Sequence, residues 1–152
     1  MTDLLGKMLS VFLIFFLGIL VPLCIMVTGR AYLNQQKIMN EMVSFLDEVA
    51  DIGEVTDENL AAFQAACNSY GPLVDVTVGR YQRVVSPDPT SPGHSYTTYV
   101  YTDKIEHFNI GDKVTVHVKE LGYRGGEQML YKAFGVMIDK LDCTLAKGVR
   151  NI

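Results

Sequence analysis

Residues 8 to 29, MLSVFLIFFLGILVPLCIMVTG, hold no Asp, Glu, Lys, Arg or His, so 22 consecutive positions are free of charge. At 1.5 Å of rise per residue this run makes about 33 Å of helix, enough to cross a bilayer core of about 30 Å. A membrane span is therefore the first expectation. A cleaved signal peptide is the alternative, but its apolar region is shorter, and Val27, Thr28 and Gly29 make a poor small-residue cleavage site. Pro22 has no amide hydrogen and should kink the helix without ending it.

The helical period does not stop at the end of that run. Ile38, Met42, Phe45, Val49 and Ile52 recur at steps of four and three, widened by Met39 and Leu46, until Gly53 supplies a stop. An element from Met8 to Ile52 is on the order of 68 Å long. Thr56 suits the cap of a second, short helix with a buried stripe of Leu60, Phe63, Cys67 and Tyr70, ended by Gly71 and Pro72. The period then changes to two. Val74, Val76 and Val78 share one face of a strand running on to Val85, and Ser86 to Gly93 is a Pro-rich loop.

A second strand covers Tyr96 to Thr102, with Tyr99 and Tyr101 on one face. A third carries Val114, Val116 and Val118 after a turn at Gly111 and Asp112. Beyond Gly125 and Gly126 the pattern is helical again, with Met129, Leu130, Ala133, Phe134 and Met137 on one side, and Cys143 to Ile152 closes as an edge strand. These elements predict an α+β fold: a transmembrane helix continuing into an amphipathic shaft, with a small head built on a three-stranded antiparallel meander. The expected divisions are a tail at 1–7, the span at 8–29, the shaft at 30–53 and an extracytoplasmic head at 54–152.

A length of 152 residues allows one compact domain at most, and three cysteines are too few for a disulfide-dense miniprotein. Cys24 falls in the span. Cys67 and Cys143 either form one bridge in an oxidising space or stand as two thiols in a packed core. A sequence pI near 5.3 argues against nucleic acid as a partner.

Charge is segregated. Residues 38–75 hold eight acidic side chains and no Lys or Arg, whereas residues 76–152 hold ten basic and eight acidic ones. Glu48 and Asp51 of one copy facing Arg80 and Arg83 of the next is the pairing this suggests, against the plainer alternative of solvated faces that never meet. Lys7 and the terminal amine on one side nearly balance Arg30 and Lys37 on the other, so charge does not orient the span. The larger mass beyond the span points to a cytoplasmic N-terminus and an extracellular head.

Chemistry is sparse. His94, His107 and His117 follow no zinc spacing, Gly125 and Gly126 lack a phosphate-binding fingerprint, and the carboxylates from Asp47 to Glu58 lack a Gly-centred calcium loop. No catalytic residue, metal or cofactor is predicted, and no enzyme.

The span with Pro22, the amphipathic continuation and the later sheet together resemble type IV pilins and pseudopilins. The segments Phe45 to Phe63 (FLDEVADIGEVTDENLAAF), Phe108 to Val118 (FNIGDKVTVHV) and Lys147 to Arg150 (KGVR) are similar to the TadE-like pilin-related membrane proteins of Gram-positive bacteria. The resemblance implies a helix that is both membrane anchor and filament core, with a sheet packed on its C-terminal half. Leu13, Phe16, Pro22, Ile38, Met42, Phe45 and Val49 would be its assembly positions. Membrane lipid, copies of itself or related subunits, and the assembly machinery of a pilus or secretion system are the partners implied. At the fifth position after Gly6, where a processed pilin carries Glu, this chain has Val11. The function expected is a structural subunit of a surface filament or of a secretion, conjugation or adhesion complex. The alternative is a single-pass anchored domain that binds or senses an extracellular ligand.

Overall fold

The computed structural model describes residues 2–71, 73–91 and 93–150. Pro72, Pro92 and the end of the last stretch at Asn151 and Ile152, all included in the sequence reading, lie outside the described residues.

One helical path runs from α1 (Thr2–Phe15) through a π-helical turn (Phe16–Leu20) into α2 (Val21–Ile52), so it takes in the short tail expected to precede it. The π turn lies just before Pro22. There the Val21 amide donates to the Phe16 carbonyl, five residues back. Pro22 has no N–H to offer the Gly18 carbonyl, and its ring crowds that carbonyl, so a wider turn accommodates it while the helix continues. The far end is closed as expected: Gly53 takes φ 80°, and its amide donates to the Val49 carbonyl at 2.8 Å.

Helix α3 (Asp57–Tyr70) starts from a reciprocal cap in which the Asn59 amide donates to Thr56 Oγ1 and the Thr56 amide to Asn59 Oδ1. It lies along α2, with the rings of Phe45 and Phe63 stacked at 4.6 Å. Four strands follow, interrupted by α4 (Gly125–Phe134): β1 (Val74–Pro87), β2 (Ser95–Thr102), β3 (Lys113–Glu120) and β4 (Asp142–Gly148). The fold is α+β, a long apolar N-terminal helix followed by a small, open antiparallel sheet.

The expected meander is corrected by the strand order, which is β2-β1-β3-β4. Strand β3 pairs not with β2 but with the first half of β1, from Val74 opposite Glu120 to Tyr81 opposite Lys113. Burial explains the choice. The face of Val114, Val116 and Val118 is wholly buried and must lie on α2, as must Val74, whereas β1 beyond Arg80 leads away from the helix with mostly exposed side chains. Strand β2 pairs with that departing half, from Arg80 opposite Thr102 to Pro87 opposite Ser95. Strand β4 is the edge strand expected of the last stretch, paired with β3 only.

The core is the space between α2 and the sheet, closed at one side by α3. Ile38, Met42, Phe45, Leu46 and Val49 of the helix meet Phe63 and Cys67 of α3, the β3 valines, Phe108 and Val149. Met39 and Ile52, read as part of the same stripe, are exposed.

Candidate functional site

The most conspicuous surface is the N-terminal half of the long helix. From Leu4 to Met26 it presents large apolar side chains to the outside, including Phe12 at 63% and Ile14 at 71% exposure. The helix is long and apolar enough to cross a membrane. A continuous apolar surface of this size is one that water does not tolerate on a monomer.

The seven positions read as an assembly face divide in two. Leu13, Phe16 and Pro22 are open on that surface. Ile38, Met42, Phe45 and Val49 are not. They are at most 4% exposed and bind the helix to its own head, so they are unavailable to another subunit.

The proposed charge pairs between copies are corrected in a similar way. Arg80 is buried and committed. Its Nε and Nη2 donate to Asp112 Oδ2 at 2.9 and 2.6 Å, and its Nη1 donates to the carbonyls of Lys104 and His107. Asp112, 1% exposed, also accepts the amides of Arg83 at 2.8 Å and Asn109 at 3.0 Å. Burial opposes its charge, but the two amides and the guanidinium outweigh that cost and hold the carboxyl below the usual carboxylate range. This pair, 32 residues apart in sequence, locks the loop between β2 and β3 onto β1 at the point where the sheet divides.

Asp51 is paired within the chain as well. Arg150 Nη2 lies 3.4 Å from Asp51 and 3.3 Å from Asp47, and Lys147 also pairs with Asp47. The acidic shaft thus meets the basic tail of its own chain, tied further by the Arg150 amide donating to the Ala50 carbonyl at 3.1 Å. Glu48 and the Arg83 side chain stay exposed.

No bridge joins Cys67 and Cys143; both are free thiols. No Cα of α3 comes within 8 Å of one in β4, while a disulfide needs its Cα atoms within about 7 Å. Cys67 is fully buried, and burial, with Glu41 adding to it, pushes its thiol up to about 11.

Two groups here escape sequence reading. One is Glu120, buried beneath the sheet, where it accepts the Leu141 amide at 2.7 Å and Gln35 Nε2 at 3.2 Å. The same Gln35 nitrogen donates to the Asp139 carbonyl at 2.7 Å, fixing the chain after α4 to the shaft. The other is the arm formed by β1 and β2 beyond Tyr81. Among the described residues no third strand pairs with it, and Val84, Val85, Tyr96, Tyr99, Val100 and Tyr101 are all exposed along it. The tyrosines gave a signal in their alternation, but nothing local told that the hairpin would stand free. Gly79 sits at its root, where a Cβ would lie 2.9 Å from Thr115 Oγ1 and 3.1 Å from the Tyr101 ring.

The histidines are scattered. His117 Nε2 lies 2.8 Å from Asp142 Oδ1, and that hydrogen bond, with Lys119 nearby, lowers the Asp142 carboxyl. His107 Nδ1 lies 3.4 Å from Glu54, and His94 is exposed in the loop. Among the described residues no three His, Cys, Asp or Glu side chains come together as metal ligands would. Compared with protein-family models, curated proteins and solved structures, the chain matches none of them.

Proposed function

We propose that this chain is a membrane-anchored structural subunit of pilin-like build, which associates with copies of itself or related subunits through the exposed half of its long helix. The observation that carries the reading is the division of that helix. One unbroken path from Thr2 to Ile52 is bare and apolar in its first half and forms the core of the head in its second. A tether would need only the span; here the span runs on as helix into the folded head, so packing between spans would set the spacing of heads. The bilayer would hold Leu13, Phe16 and their neighbours, and van der Waals packing between helices would supply cohesion. The head stands outside the membrane, and the protein performs no catalysis.

Energy transfer between fluorophore-labelled copies in lipid nanodiscs or vesicles tests this. Wild-type chains should associate, and Leu13→Ala with Phe16→Ala should weaken association several-fold while leaving the head folded. Absence of association at every protein-to-lipid ratio, with no filament by electron microscopy, would overturn it. The free tyrosine-bearing arm supports a second reading, an anchored binding domain whose ligand docks on the exposed faces of β1 and β2.

A further inference from the structure

Helix α4 packs against α2 at an unexpected height. A Cβ on Gly126 would lie 3.6 Å from both methyl carbons of Val27, and Val27 belongs to the charge-free run, two residues before its end at Gly29. Half-buried Leu20, at the end of the π-helical turn, and Leu23, Cys24 and Val27 on α2 form one stripe continuous with buried Ala31, while Val21, Ile25 and Met26 beside it are exposed. The chain after α4 is held at Gln35, eight residues or about 12 Å further along the shaft. The segment therefore spans the zone in which hydrocarbon gives way to headgroups on any placement of the 22-residue run in a bilayer.

Its side chains suit that zone. At 100° per residue Leu130 marks the centre of the apolar face of α4, and it alone is fully covered, at 1% exposure. Met129, Tyr131 and Phe134 flank it on the helix, at 58%, 44% and 45% exposure, and Met137 beyond the helix is 72% exposed. A single helix behind Leu130 is too narrow to cover so wide a face. Gln128 and Lys132 lie on the opposite, polar side. Arg30 of α2 and Arg124, Lys132 and Lys140 of the segment outnumber its acids, Glu127 and Asp139, with Glu120 beside them buried and bonded to Gln35 and the Leu141 amide, and the nearest acid on the shaft above is Glu41. Tyr123 stacks on Tyr131 at 5.8 Å, with Lys140 Nζ 4.6 Å from the Tyr123 ring centre. Aromatic rings beside cations are the side chains that settle at headgroup level.

We infer that α4 and the following turn through Met137 form a second lipid contact, an interfacial foot. Its apolar flanks would enter the edge of the hydrocarbon, and its basic side chains would meet the phosphates of an anionic bilayer. The inference rests on the membrane-anchored reading. Lipid is the occupant because the face is continuous with the span and because the charge around it is complementary to lipid phosphate.

The chain contains no tryptophan, so single reporters can be placed in the full-length protein. Phe134→Trp and Met137→Trp report on the foot, Ile14→Trp on the span and Val84→Trp on the arm, each in phosphatidylglycerol and phosphatidylcholine vesicles carrying bromines at shallow or deep acyl positions. The expected result is quenching of Phe134→Trp and Met137→Trp by shallow bromines, stronger in the anionic vesicles and weakened by Lys132→Glu with Lys140→Glu. Ile14→Trp should be quenched by deep bromines, and Val84→Trp by neither. Deep quenching at Ile14→Trp without quenching at either foot position overturns the foot while leaving the anchor standing. No quenching at Ile14→Trp overturns the anchor itself. A blue-shifted but unquenched foot reporter means that a second protein copy covers the face, which also overturns the inference.

Discussion

Replacing Asp112 by Asn tests what holds the head together. Four donors converge on the two carboxylate oxygens, from Arg80 Nε and Nη2 and the amides of Arg83 and Asn109. An amide has one acceptor oxygen, so at least one set of donors must face its NH2 group, and the guanidinium of buried Arg80 loses its counter-charge. Removing one partner of a buried ion pair costs about 3–5 kcal/mol. Arg80 keeps the carbonyls of Lys104 and His107, which places the loss near the lower end, about 3 kcal/mol. For a head of this size that lowers the melting temperature on the order of 15 °C. Eight tyrosines and no tryptophan make near-ultraviolet circular dichroism of the full chain in detergent a suitable assay, because that signal follows the head. The pH dependence has a definite sign. The folded carboxyl lies below its unfolded value of about 3.9, so its contribution is intact above that value and is lost as pH falls through the folded one. Wild type should therefore lose stability on acidification more steeply than Asp112→Asn, and the two should converge in acid. Adding Arg80→Met to Asp112→Asn should restore part of the loss, since it removes the orphaned charge. Equal melting of wild type and Asp112→Asn at neutral pH would refute the reasoning.

Three further outcomes are expected. Cys67, buried and with its thiol pushed up to about 11, should resist maleimide in the native head, whereas half-buried Cys143 should react sooner; unfolding without reductant should release three free thiols by mass. Phe45→Ala should cost about 3–5 kcal/mol by chemical denaturation, because it removes the ring stacked on Phe63 and leaves a cavity between α2 and α3. Asp47→Asn should cost less than about 1 kcal/mol and lose its effect in high salt, since its partners Lys147 and Arg150 are partly exposed.

Local signals carried the elements. Gly53 could stop α2 and Thr56 could cap α3 because both act within one turn of their own position, and the valine alternation of β1 and β3 marks which face is buried whatever the neighbours are. Strand order was not legible, because the valines of β3 would suit a place beside β2 or β1 equally well. What decides it is the lack of helix beneath the outer half of β1. Arg80 looked like a surface cation for a related reason. By its neighbours its partner Asp112 is a turn residue, and no local spacing announces a buried ion pair across a loop. Distance decides between the two alternatives for Cys67 and Cys143, in favour of separate thiols rather than a bridge, and composition does not contain distance. The apolar stripe from Ile38 to Val49 is legible in the sequence, but its period suits a neighbouring helix and the chain's own sheet equally well, and here the sheet takes it.

The tail lies where the head closes. The Arg150 amide bonds to Ala50, and the Val149 amide to the carbonyl of Asp112, so the last described residues complete a core that begins at Ile38. During synthesis the stripe from Ile38 to Val49 is made before the strands that cover it. Those contacts are distant in sequence, so the loop entropy of the intervening chain must be met before they form. The core of the head should therefore close late, once β3, β4 and the residues through Arg150 have been made. In that interval the apolar stripe is uncovered, and chaperones or a partner helix would have the opportunity to bind it. Loss of the Val149 and Arg150 contacts would leave that stripe without its closing edge, so two backbone bonds at the far end of the fold govern whether the helix is covered.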